Sequence, residues 1–108
     1  MAFTFTKVGY DPQAKLAVYT ATTNTSSAAG TLNPGFTPTT VDIWDSTNAI
    51  HFHWNAGMAD ASMFKTDTVV AYASSNGITP ISSTAQQGVT IGTGVHTNSS
   101  TYSIVLRG

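Results

Sequence analysis

The run Ile50-His51-Phe52-His53-Trp54-Asn55 constrains this chain more than any other stretch. Apolar and polar residues alternate in it with a period of two. Successive side chains of a strand point to opposite faces. Ile50, Phe52 and Trp54 therefore share one face, and His51, His53 and Asn55 share the other. Just upstream, Val41 and Ile43 alternate with Asp42 and Trp44 in the same way. Between the two runs lies Asp45-Ser46-Thr47-Asn48, whose short polar side chains hydrogen-bond nearby backbone groups and so favour a turn. The block from Val41 to Asn55 reads as two strands of one antiparallel sheet, each with one dry face.

Similar signals recur along the chain. Phe3 and Phe5 alternate with threonines, and Leu16 and Val18 with Ala17 and Tyr19. Further strands are expected over about Thr68–Ala73, over Ile78–Ser82, at Val89 and Ile91, and at Tyr102, Ile104 and Leu106. Asn76-Gly77 is a strong hairpin-turn dipeptide, and Pro80 favours a sheet edge. About seven or eight short strands at such spacing predict an all-β domain, an antiparallel sandwich or jelly roll. Ile50, Phe52, Trp54, Ile104 and Leu106 are its expected core. Thr22–Thr40 is expected to be a long loop, pinned by Leu32 and Phe36, and the N-terminal residues a flexible arm. At most one helical turn is expected, in Ala56–Phe64. The 108 residues suit a single domain, residues 1–108.

Composition narrows the partners. Lys and Arg total 4 and Asp and Glu total 5, and all five acids are aspartate. Four scattered bases do not form the clustered positive surface that nucleic acid requires. No apolar run approaches the length of a membrane span, and MAFTFTKVGY lacks the apolar core of a secretory signal. With Cys 0, neither disulfides nor thiolate metal sites are available. So little charge leaves surface to be covered by another subunit.

Candidate chemistry is sparse. His51 and His53 point the same way from one strand and can reach one ion. Jelly-roll metalloenzymes of the cupin type use such a pair with a following glutamate and a distant histidine. His96 suits the last role, but the chain has no glutamate, and Asp60 lies beyond Gly57. No tightly held ion and no cofactor are therefore expected. The histidines are read as part of a contact face, where they can respond to pH. No serine sits in a Gly-x-Ser-x-Gly elbow, no aspartate pair has glycosidase spacing, and Gly92-Thr93-Gly94 lacks the helix of a phosphate cradle. Trp44, on the face opposite Val41 and Ile43, is expected to meet a partner. Met58, Asp60, Met63 and Phe64 belong to a segment too apolar for a solvated loop. With Trp44, His51 and His53 they make up the expected interface.

The order Val41-x-Ile43, Ile50-x-Phe52-x-Trp54, Gly57-Met58-Ala59-Asp60, Lys65-Thr66, Gly77-Ile78-Thr79 and Gly88-Val89-Thr90-Ile91-Gly92-Thr93 resembles small virion proteins of tailed bacteriophages. The likeness spans roughly Val41–Leu106, and its motifs are structural. It implies a non-enzymatic capsid cement or decoration protein, often a homotrimer, sitting on the major capsid protein at the virion surface. The alternative is a tail or fibre component that binds receptor carbohydrate through exposed aromatics.

Overall fold

Alternating sequence becomes a single antiparallel sheet. The computed structural model describes residues 3–11, 13–83 and 86–108. Nine strands are present: β1 Phe3–Asp11, β2 Leu16–Thr23, β3 Gly30–Leu32, β4 Thr40–Asp45, β5 Ile50–Asn55, β6 Ser62–Thr66, β7 Val70–Ser82, β8 Gln87–Ile91 and β9 Thr101–Arg107. Their order across the sheet is β1-β2-β9-β4-β5-β6-β7-β8-β3. β4 to β8 run as a meander. β9 returns to fill the place between β2 and β4, and β3 closes the far edge on β8. The sheet is nearly closed. Its two end strands approach so closely that a Cβ on Gly30 would meet the Phe5 ring at 2.8 Å.

The inner face carries the core. Ala17, Tyr19 and Ala21 enter it from β2, Val41 and Ile43 from β4, Phe52 and Trp54 from β5, and Tyr102, Ile104 and Leu106 from β9. The periodicity thus assigned Phe52, Trp54, Ile104 and Leu106 to the correct side. Ile50, at the strand's first position, is only partly buried.

Several boundaries differ from the expectation. Among the described residues the strands number nine, where about seven or eight were expected. Phe3–Asp11 is a strand paired with β2, so the alternation at Phe3 and Phe5 extends well beyond those two residues. The expected loop over Thr22–Thr40 contains the short strand β3, and buried Leu32 and Phe36 do pin it. Gly35, at φ +89, makes the turn that a side chain would strain. Asn76-Gly77 is not a hairpin turn. The register jumps from Ser62↔Ile78 to Met63↔Ala73, so residues 74–77 bulge out of one long β7. Asn76 takes φ 59 there, and Gly77 passes too close to the Ser62 carbonyl for any side chain. Among the described residues the single helical element is a 3-10 turn at Thr93–Val95, not in Ala56–Phe64. Pro80 lies within β7, beside Val89 of β8.

Candidate functional site on the outer sheet face

The face opposite the core carries two rows of side chains across β4 to β7. Register places Trp44, His51, Thr66 and Val70 in one row, and Asp42, His53, Phe64 and Tyr72 in the next. Trp44 is 41 % exposed, Phe64 40 %, Tyr72 54 % and Val70 68 %. The rings are ordered against one another. Trp44 stacks on His51 with centroids 4.9 Å apart and planes 6° from parallel. Phe64 meets Tyr72 edge to face at 5.3 Å. An open groove of about 510 Å³ adjoins this surface, lined by Trp44, Ser46, Ile50, His51, Thr66 and Asp67 among others.

Between the two aromatic pairs sits a polar cluster. Asp42 and His53 are direct cross-strand partners, and His51 lies one pair away on the same face. Asp42 Oδ1 accepts from His51 Nε2 at 2.9 Å and from His53 Nδ1 at 2.8 Å. The other oxygen, Oδ2, is 3.7 Å from Arg107 Nη1. Burial pushes the Asp42 carboxyl up, but the hydrogen bonds from His53 and His51, with their charge, outweigh it. The group is held below its ordinary value. A relay sets the orientation of His53: the Gly57 N–H donates to Asn55 Oδ1 at 3.0 Å, and Asn55 Nδ2 faces His53 Nε2 at 3.1 Å. Neutral His53 then accepts at Nε2 and carries its proton on Nδ1, towards Asp42.

The acid that completes this cluster comes from across the sheet. The acid that follows the histidine pair in sequence, Asp60, is an exposed loop residue outside the cluster. The usable signal was spacing on two strands at once, since a tight turn at Asp45–Asn48 brings Asp42 opposite His53. His96 lies elsewhere. Its ring meets Phe3 edge to face, and its Nε2 is 3.1 Å from the Asn24 carbonyl.

The remaining expected contact residues divide. Met63 is 2 % exposed, a core residue with no surface to offer, which corrects its place in the interface. Met58 is half-buried and packs against the core. The loop after β5 folds back on the body, because Trp54 Nε1 donates to the Ala59 carbonyl at 3.1 Å and Ser62 Oγ to the same oxygen at 2.6 Å. Trp44, Phe64, His51 and His53 come together on one face. Tyr72 and Val70 belong with them, and their register opposite Phe64 and Thr66 could be read only once β6 was known.

No helix among the described residues is long and apolar enough to cross a membrane. The chain matches no family model, no curated protein and no solved structure.

Proposed function

We propose that this protein is a non-enzymatic docking module of a virion, a capsid cement protein that covers the outer face of β4–β7 against the major capsid protein. One observation carries the reading: Trp44 on one side of the histidine cluster, and Phe64, Tyr72 and Val70 on the other, stand on paired strands of one face, each at least 40 % exposed. Ordered exposed aromatics of this kind characterise contact surfaces, and aromatic residues are enriched where binding energy concentrates. The low charge of the chain adds support. Copies around a symmetry axis, as a trimer, would multiply such contacts without any chemistry.

The test uses particles from which the protein has been genetically removed. They should lose infectivity on heating and at low salt. Purified wild-type protein added back should restore survival, and Trp44→Ser with Tyr72→Ser should not. Wild-type survival of the depleted particles would overturn the cement reading. The groove beside Trp44 favours a second reading, a fibre component that stacks a receptor sugar on the indole. Depleted particles that survive heat but fail to adsorb to host cells would establish it.

A further inference from the structure

Asp42, His51 and His53 bring one carboxylate oxygen and two imidazole nitrogens within 4.8 Å of one another. We propose that these three side chains form a binding site for a divalent transition-metal ion of the zinc class on the outer sheet face. The proposal stands on the cluster alone and does not depend on what the face docks against.

Donor chemistry selects the ion. Two imidazoles and a carboxylate match the ligand set that zinc and its neighbours take, whereas calcium and magnesium are bound through oxygen alone. Geometry fits with small movement. Ligands about 2.0–2.1 Å from a tetrahedral ion stand about 3.3 Å from one another. Asp42 Oδ1 now lies 2.9 and 2.8 Å from the two nitrogens, so these two pairs need open by about half an ångström, and the two nitrogens already stand within 4.8 Å of each other. The three residues also stand on adjacent, directly paired strands, which fixes their Cβ positions. Trp44 stacked on His51 limits rotation of that ring. Arg107 Nη1 stands 3.7 Å from Oδ2, the oxygen that does not face the imidazoles. The histidines are about one-third exposed, so an ion there keeps at least one position for water or for a donor from a docked partner.

Coordination makes a specific demand on protons. His53 Nδ1 must present a lone pair to the ion, so its proton moves to Nε2. That N–H then points at the Asn55 amide nitrogen, a donor facing a donor. Asn55 cannot turn its oxygen to His53 without giving up the Gly57 N–H. An aspartate at 55 would keep the Gly57 bond through one oxygen and accept from Nε2 through the other. That creates the carboxylate–histidine–metal arrangement that raises ligand basicity.

Calorimetric titration of the chelator-treated full chain with zinc chloride tests the site, with visible absorption of the cobalt form as a second readout. One ion per chain should bind. His51→Ala and His53→Ala should each weaken binding by about tenfold or more, while His96→Ala should leave it unchanged; Asn55→Asp should tighten it by about tenfold. Circular dichroism of each variant should retain the wild-type β spectrum; Asp42→Asn provides a near-isosteric third variant for the carboxylate ligand. Absence of saturable binding in the micromolar range, or binding equal in wild type and in both histidine variants, would overturn the site. Weaker binding by Asn55→Asp would overturn the assignment of Nδ1 as the His53 ligand atom.

Discussion

Asp42 and Asp45 lie three residues apart on β4 and so face opposite sides of it. Asp45 is 1 % exposed. Its carboxylate accepts from the Thr47 and Asn48 amides, from Asn48 Nδ2 and from Thr97 Oγ1, at 2.6 to 3.1 Å. Those donors belong to its own turn and to the loop before β9, where Thr97 and Ser100 bond to each other and Thr97 bonds to the Tyr102 hydroxyl. Asp42 is instead part-buried, and its nearest partners are two imidazoles, each about one-third exposed. The same side chain on the same strand thus closes a turn on one side and builds a surface site on the other. The difference lies in whether its partners are fixed backbone and hydroxyl donors or exchangeable side chains.

The largest effect should come from the inner side. Asp45→Ala leaves two backbone amides, an amide side chain and a hydroxyl without their shared acceptor. Unsatisfied buried donors cost about 1–3 kcal/mol each, although some of these can reach water. A loss of about 3 kcal/mol or more in urea unfolding is expected, comparable with Trp54→Ala at about 3–5 kcal/mol. Asp42→Ala should cost about 1 kcal/mol or less, the range of partly exposed ion pairs. Equal losses at the two positions would break the comparison.

How much of this was legible depends on the range of each interaction. The Asp45 turn was readable, because its donors at Thr47 and Asn48 are two and three residues away. So were the dry faces of β4, β5 and β9, since a period of two belongs to the strand itself. The Asp42–His51–His53 cluster was half legible. The histidine pair shows in the sequence, but its acid depends on register across the turn. β6 was missed because Ser62-Met63-Phe64-Lys65-Thr66 alternates weakly, with Met63 buried and Phe64 exposed beside a bulge. The bulge also disguised Asn76-Gly77, whose turn chemistry serves a kink inside one strand. β3, with three residues, offers no period to detect.

A smaller effect at Asp42 belongs to acid. The folded-state value of Asp42 lies below its unfolded value. Its ionised form therefore contributes stability that is present above the ordinary aspartate range, about pH 4, and is lost as pH falls through the lower folded value. The charged or titratable groups facing it are His51, His53 and Arg107. Asp42→Asn should make the unfolding midpoint fall less steeply below about pH 4 than in wild type. Parallel curves for the two proteins would show that the carboxylate gains nothing from its imidazoles.

The smallest effect on stability should accompany the largest on contact. Trp44 packs on His51 but leaves 41 % of its surface in water, and Tyr72 leaves 54 %. Truncating a core ring opens a cavity. Truncating these rings only trims a surface and removes one ring contact, for which about 0.5 kcal/mol is the expected scale. Trp44→Ser and Tyr72→Ser should therefore unfold within about 0.5–1 kcal/mol of wild type. If copies of the chain cover this face with one another, light scattering at micromolar concentration should show association in wild type and its loss in the double variant. Association that survives both substitutions would move the self-contact elsewhere and leave the outer face to a different partner. A loss of several kcal/mol would mean that these aromatics stabilise the sheet itself, and the contrast between the two faces would fail.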